Sequence, residues 1–326
     1  MKKRQTLALL LAAALAPPFC AAQANSAYPT KSVRLVVGYP PGGAGDIFGR
    51  LVANYLSVQL GQQFVVENRP GAAGTIAAAQ VARMPADGYT LYLGSAGDFT
   101  LARSTYGARL PYSPERDFTH ITMLVKVPMV LVVHPTVPAK TLQEFIAYAK
   151  SKPKQLNYAS FGIGSTSHLS AEAFNLASGV DMAHVAYKGS SPAVTDLLAG
   201  RVEAMFDTVL SASRYTKNGQ LRPLAVSTLK RVPLMADTPT VDESGLPGYE
   251  IATWLGIVAP LGLPEPIVQV LSVQLDAFTK DPEIRKQLDA LGLLVDGSGP
   301  AAFSTFIRDE SARMDKLIKD AGIQFE

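Results

Sequence analysis

The sequence predicts an α/β protein built as two α/β domains with a ligand cleft between them. Three observations carry this. Strand and helix patterns alternate through about the first hundred residues after residue 24, a second series of the same kind begins near Thr122, and one strand pattern near the C-terminus has no sheet of its own.

The first series opens with the β-rich run 33–37, followed by a Pro/Gly loop from Tyr39 to Gly45 and an amphipathic helix from Asp46 to Leu60 that Gly61 stops. Residues 64–67 form the next strand and Thr75 to Met84 the next helix. Pro85 and Asp87-Gly88 end that helix, and 89–93 is a third strand. This order implies a parallel sheet with right-handed crossovers. The second series runs through a strand at Met129–Val133 and a helix opened by the capping box Thr141-x-x-Glu144. A strand at Leu156–Ser160 and a helix from about Ser167 to Ala177 follow. Beyond them come strand 185–187, a helix capped by Ser191 with Pro192 at its first position, and strands at 204–207 and 224–227. The tail reads as a strand at Gly256–Ala259, then helices starting near Pro264, Pro282 and Pro300. A tail strand without partners is expected to return to the first sheet. The expected division is residues 25–122 plus 251–326 in one domain and 123–250 in the other, with crossings near 123 and 250.

Residues 1–24 read as a secretory signal peptide: Lys2, Lys3 and Arg4, then an apolar run over 7–16, then Ala22-Gln23-Ala24 as a small-x-small cleavage site. The run is well short of the roughly 20 residues needed to span a bilayer. Cys20 raises a lipoprotein reading, but Phe19 stands before it where a small residue is expected. With Lys2, Lys3 and Arg4 removed, the 30 basic and 27 acidic side chains of the whole chain come into balance. A balanced chain gives no argument for binding nucleic acid or an anionic membrane surface. The only cysteine leaves with the signal, so disulfides, thiol nucleophiles and thiolate metal sites are excluded from the mature chain. No clustered ligands point to a metal, and no motif to a cofactor.

In open α/β sheets ligands bind outside the carboxyl ends of the strands. Three loops there are rich in small residues. The first, Gly38 to Asp46, places Tyr39, Pro41, Gly42 and Gly43 at a helix start, where peptide N–H groups and the helix dipole favour an anion. Asp46 reads either as the helix N-cap or as a ligand contact. The second loop offers Ser95 and Ala96. The third, Ser160 to His168, offers Ser160, Phe161, Gly162, Gly164, Ser165, Thr166 and His168, one of its serines being expected as a cap. Asp207 ends a strand and reads either as a structural cap or as a cleft residue facing a ligand ammonium or a water.

Joint motifs add a family. Tyr28-Pro29, Pro41-Gly42-Gly43 with Asp46 and Arg50, and Val65-Val66-Glu67-Asn68-Arg69-Pro70-Gly71-Ala72 stand in order. So do Asp87-Gly88-Tyr89-Thr90-Leu91, Gly164-Ser165 with His168-Leu169, and His184-Val185-Ala186-Tyr187-Lys188-Gly189. Arg231, Thr238-Pro239-Thr240, Glu243 and Pro247-Gly248 complete the set. In this the chain resembles the substrate-binding proteins of tripartite tricarboxylate transporters, the Bug receptors, over essentially its whole mature length. The resemblance implies a periplasmic binding protein-like, Venus-flytrap fold. It implies a monomeric periplasmic protein, not an enzyme, that delivers carboxylates or amino acids to a tripartite tricarboxylate-type membrane permease. It also implies that the Pro41-Gly42-Gly43 loop and the loop around Ser165 hold ligand carboxylate or carbonyl groups through backbone amides and ordered water. Tyr39 stands where phenylalanine is common and Phe161 where small residues are usual, so a flatter, more apolar pocket is expected.

Two rival readings stay open at this point. A Ser–His hydrolase would need Ser165 and His168 in contact, although G-x-S-x-G does not occur. A periplasmic solute sensor would use the same fold and pocket.

Overall fold

The computed structural model describes residues 28–320 and residue 323. The expected signal peptide and its cleavage site lie outside the described residues.

In chain order the elements are β1 (Val33–Val37), α1 (Ala44–Leu60), β2 (Phe64–Asn68), α2 (Thr75–Val81), β3 (Thr90–Ser95), α3 (Ala102–Tyr106) and β4 (Phe118–Val133). Then follow α4 (Leu142–Lys150), β5 (Asn157–Ser160), α5 (Thr166–Ser178), β6 (Ala183–Ala186), α6 (Ser190–Leu198), β7 (Ala204–Thr208), α7 (Val209–Thr216) and β8 (Arg222–Val226). The chain ends with β9 (Ala252–Pro260), α8 (Glu265–Lys280), α9 (Pro282–Ala290), β10 (Leu294–Ser298) and α10 (Pro300–Asp320). The strand order is β2-β1-β3-β9-β4-β7-β5-β6, with β8 and β10 both paired to β4. Strands β2, β1 and β3 are parallel, as are β7, β5 and β6. The tail strand β9 inserts antiparallel between β3 and β4 and so completes the first sheet. The result is two lobes, one around β1–β3, β9 and β10, the other around β5–β8, joined through β4 and through the segment entering β9.

The inner parallel strands β1, β3, β5 and β7 are largely buried because helices cover both faces. In β1, Val33, Leu35 and Val37 join Phe48, Val52 and Phe278 in one core, while Val36 turns to the other with Ala77 and Tyr92. Rings of Phe48 and Phe278 meet edge to face at 6.1 Å.

The sequence expects a five-residue strand at Met129–Val133, whereas β4 runs for 16 residues from Phe118. Its first part pairs with β9 as far as Pro128, and its last five residues pair with β7 and β8. Pro128 stands at the change of partner, where a missing N–H costs least. Ser227 clamps the two crossings together. Its hydroxyl accepts from Met129 N–H at 3.2 Å and donates to the Ile251 carbonyl, and its own N–H donates to the Met129 carbonyl at 2.9 Å.

Local start signals hold with two exceptions. Thr141 and Glu144 form the reciprocal capping box, and Asp281 caps α9 by accepting from the N–H groups of Glu283 and Ile284. One is α6, which begins at Ser190 after Gly189 and carries Pro192 at its third position, not its first; the other is α1, which begins at Ala44 with Gly43 as its cap, ahead of Asp46. Three elements have no counterpart in the sequence reading: α3, α7 and β10.

Ser227 is fully buried, so Ser227→Ala leaves a buried donor and a buried acceptor without their partner. The expected cost is about 1–3 kcal/mol, read as a lower urea midpoint at unchanged slope.

Candidate ligand-binding site

Between the lobes lies a cleft enclosing about 520 Å³ of space free of atoms, part of it open to solvent. The first lobe contributes Tyr39, Pro40, Gly43, Ala44, Gly45 and Ser95. The second contributes Phe161, Thr166, Ser190 and Thr208, and the crossing strands β4 and β9 supply Val127, Thr253 and Leu255 as the floor. No lining residue carries a charge.

What the cleft offers an anion is the positive end of helices. Ala44 opens α1, Thr166 opens α5, Ser190 opens α6, and Thr208 caps α7; all four lie on its wall. Each helix start presents peptide N–H groups without partners in the helix and about half a positive charge. Ser165 and Thr208 cap α5 and α7 by accepting from His168 N–H and Ser211 N–H. The caps of α1 and α6 are Gly43 and Gly189, which have no side chain to fill that role.

The lobes touch around this space. Ser191 Oγ donates to the Pro41 carbonyl at 3.0 Å across the gap. Gly164 (φ +74°) and Gly189 (φ +124°) come so close to the first lobe that a Cβ would sit 2.4 Å from Thr105 and from Pro40 respectively. Glycine is required at both positions by backbone angle and by space.

Of the fifteen candidate residues, Tyr39, Gly43, Ser95, Phe161 and Thr166 line the cleft. The others stand behind it and hold the loops. Asp46 is not the N-cap and is not among the residues lining the cleft: it lies inside the first turn of α1, where Oδ2 accepts from Gly42 N–H at 2.9 Å. Its Oδ1 takes Asn68 Nδ2 at 3.1 Å and Arg50 at 2.9 Å. Burial would raise this carboxyl, but the bonds from Arg50, Gly42 and Asn68 hold it below its ordinary value. The Gly42 N–H is therefore committed to Asp46, and the Pro41 carbonyl to Ser191. In the third loop Gly162 N–H donates to Ser160 Oγ at 3.1 Å, and Gly164 N–H to His168 Nδ1 at 3.2 Å. The carbonyl of Ala96 accepts from Leu101 N–H at 2.8 Å, inside the turn that follows β3. Asp207 is fully buried behind Ser190 and Thr208.

Ser165 and His168 do not form a nucleophile and base, because the Ser165 hydroxyl accepts from the backbone of His168 while the imidazole braces Gly164. The His168 ring stacks on His184 at 3.8 Å, and His184 Nε2 lies 2.6 Å from Ser160 Oγ. Burial pushes His168 down to about 3 and His184 to about 4, so both are neutral at pH 7. Burial acts oppositely on two acids, raising Asp98 to about 7 and Asp207 to about 6. Among the described residues no group of three His, Cys, Asp or Glu could hold a metal ion.

Pro40, Ala44, Gly45, Val127, Ser190, Thr208, Thr253 and Leu255 are cleft residues that the sequence reading did not single out. The carboxyl-end rule, applied to β6 and β7 as it was to β1, β3 and β5, points to Ser190 and Thr208. Val127, Thr253 and Leu255 adjoin the expected crossings near 123 and 250, and a cleft between lobes is floored by whatever joins them.

Over residues 48–323 the chain matches the tripartite tricarboxylate transporter family receptor. It is 31% identical over 299 residues to the protein BugT of Bordetella pertussis, covering 92% of each chain. A solved structure of an R. palustris protein with adipate shares 39% identity and a TM-score of 0.89, over 91% of this chain and 99% of that one. MatC from Rhodopseudomonas palustris with bound malate shares 33% identity and a TM-score of 0.84, over 89% of this chain and 100% of that one.

Two predictions follow from this geometry. Ser191→Ala removes one neutral hydrogen bond made only when the lobes meet, about 0.5–1.5 kcal/mol. Ligand affinity measured by calorimetry should fall by about two- to tenfold at little change in melting temperature. The second concerns pH. His168 and His184 titrate lower in the folded chain than in the unfolded one, so their contribution is present above about pH 6.5 and lost as pH falls. Asp98 and Asp207 titrate higher when folded, so theirs is present near pH 4 and lost as pH rises toward 6–7. The opposing slopes, at most about 1.4 kcal/mol per pH unit for each titrating group, overlap between pH 4 and 6. Asp98→Asn/Asp207→Asn should therefore lose melting temperature more steeply than the parent as pH drops from 6 to 4.5.

Proposed function

The chain belongs to the family of tripartite tricarboxylate transporter receptors, which are periplasmic substrate-binding proteins and not enzymes; from this premise we propose that it captures a small organic carboxylate between its lobes and delivers it to a tripartite tricarboxylate-type membrane permease. It works as a monomer exported by its N-terminal signal peptide. The lobes divide as residues 25–122 plus 251–326 and 123–250.

The observation that carries this reading is the convergence of four helix N-termini on a cleft lined by no charged residue. Such a site suits an anion that must enter and leave. In this reading the N–H groups of Gly43, Ala44 and Gly45 hold one carboxylate end, and those of Thr166 and Ser167 hold the opposite side, with ordered water filling the remainder. Ser95, Ser190 and Thr208 add hydroxyls. A charge-assisted hydrogen bond nets about 1.5–3 kcal/mol, and a micromolar complex needs about 8 kcal/mol. Four or five such bonds drawn from both lobes reach that after ordering costs.

The ligand's middle is apolar in this reading. Tyr39, Val127, Phe161 and Leu255 form the side walls and floor, and they offer an alkyl or aromatic spacer more favourable contact than a polar one. Adipate, carried by one solved relative, has such a spacer, whereas malate, carried by another, is shorter and hydroxylated.

The test is a thermal-shift and calorimetric panel of adipate, benzoate, malate, citrate and aspartate, with mass spectrometry of small molecules that co-purify. An apolar-spaced carboxylate should raise the melting temperature most. Stabilisation by citrate or aspartate alone would refute the apolar selection, and no stabilisation by any acid would refute carboxylate capture. Trp254 is buried on the face of β9 opposite Thr253 and Leu255, packed edge to face on Phe303 at 5.4 Å, so its fluorescence should change saturably with the same ligand only where binding shifts β9 itself.

A further inference from the structure

Each lobe keeps a carboxylate behind a serine of the cleft. Ser95 ends β3, and both its N–H, at 2.9 Å, and its hydroxyl donate to Oδ1 of Asp98. Ser190 begins α6, and its hydroxyl donates to Oδ1 of Asp207 at 2.9 Å, which also accepts Thr208 N–H at 2.8 Å. Both aspartates are fully buried, and in both the second oxygen, Oδ2, has no hydrogen-bond partner. No salt bridge among the described residues reaches either one.

The groups facing Asp98 are the phenols of Tyr92 on β3, Tyr39 in the loop after β1, and Tyr112 after α3, all raised further above their ordinary values by burial. Gly74, ahead of α2, packs against Asp98 and brings no side chain. Asp207 is faced by the hydroxyls of Ser190 on α6 and Ser211 on α7, and by Val130 across the sheet on β4. No cation in these surroundings offsets either charge.

This creates a conflict with an anionic ligand. A hydroxyl has one proton, and those of Ser95 and Ser190 are given inward, so these serines present lone pairs where an anion needs donors. Two buried negative charges behind them add repulsion that a low-dielectric interior strengthens. Both obstacles vanish if protons arrive with the anion. A proton from solvent binds Oδ1, and the aspartic acid O–H donates to the serine oxygen. The serine then turns its own proton to the ligand carboxylate. No bond other than O–H is made or broken.

We propose, resting on the carboxylate-capture reading above, that the cleft binds its anion together with protons taken up by Asp98 and Asp207, which act as positioning residues that convert Ser95 and Ser190 from acceptors into donors. Burial already holds Asp98 near 7 and Asp207 near 6, so the protons are available at ordinary periplasmic pH.

The test is calorimetry of the mature protein with adipate, malate and the rest of the carboxylate panel in buffers of high and low ionisation enthalpy. At pH 7.5 these acids are ionised already, so protons taken up must go to the protein. The parent should take up about half a proton or more per ligand, and its affinity should fall by up to about tenfold per pH unit above 7 for each proton coupled. Asp98→Asn removes the buried charge and can take up no proton, while its amide oxygen still accepts from Ser95 N–H. It should bind at pH 8 at least as tightly as the parent and show a flatter pH profile. A merely structural Asp98 would instead give weaker binding at every pH with the slope unchanged. If Asp98→Asn does not fold, the proton count on the parent decides alone. Binding without proton uptake overturns this inference and leaves carboxylate capture standing; binding of no acid in the panel overturns both.

Discussion

A carboxylate taken out of water must exchange its hydration for donors, and this cleft has no lysine or arginine on its wall. The only donors that can be packed closely around a small anion without fixed cations are peptide N–H groups and hydroxyls. The rest of the architecture answers to that constraint. Parallel strands followed by helices point their helix starts to one edge of the sheet, and two such sheets set edge to edge aim them at one point. Glycine, serine and threonine dominate those turns because a larger side chain would keep the backbone away from the ligand. A cation would bind the anion harder and release it more slowly.

The loops are braced before any ligand arrives, and the two lobes do it differently. In the first, the ionised carboxylate of Asp46 takes the Gly42 N–H and is itself held by Asn68 and the exposed Arg50. In the second, the neutral imidazole of His168 takes the Gly164 N–H, and the Ser160 hydroxyl takes the Gly162 N–H. Each loop thus spends its early N–H groups on its own shape, while those at the helix start have no partner within the helix. Fixing the loop beforehand lowers the ordering cost at binding. Burial that would be unfavourable for a charged histidine is harmless for a neutral one, and the stacked His168–His184 pair depends on both staying neutral.

Much of this was legible in the sequence. The strand–loop–helix rhythm located all three glycine- and serine-rich turns, and the capping signals at Thr141 and Asp281 located two helix starts. The return of the tail followed from one strand with no neighbours. What escaped notice has a physical reason in each case. β4 looked like a short strand because Pro128 breaks its pattern, while in the fold that proline sits where the strand exchanges β9 for β7 and β8. α3 and α7 are short, with five and eight residues, and carry too few turns for a 3.6-residue rhythm to stand out. Asp46 fits an N-cap by spacing, and only the position of Gly42 decides that it folds back from inside the helix. Ser190 and Thr208 carry no motif; only their place beyond the carboxyl ends of β6 and β7 points to them.

Closure is where the two lobes become one site, and β4 and β9 make it specific. They connect the lobes and also supply the cleft floor through Val127, Thr253 and Leu255, so any rotation of one lobe on the other moves the surface beneath the ligand. Ser227 fixes the two crossings to each other. At the rim, Gly164 meets Thr105 and Gly189 meets Pro40 at distances that admit no side chain. The rim can therefore close fully only over a ligand small enough to lie beneath it. In the carboxylate-capture reading this selects for length without a dedicated residue at the ligand's far end: an acid too long for the space would hold the rim apart, break the Ser191–Pro41 bond and keep the opposing helix starts from sharing the charge.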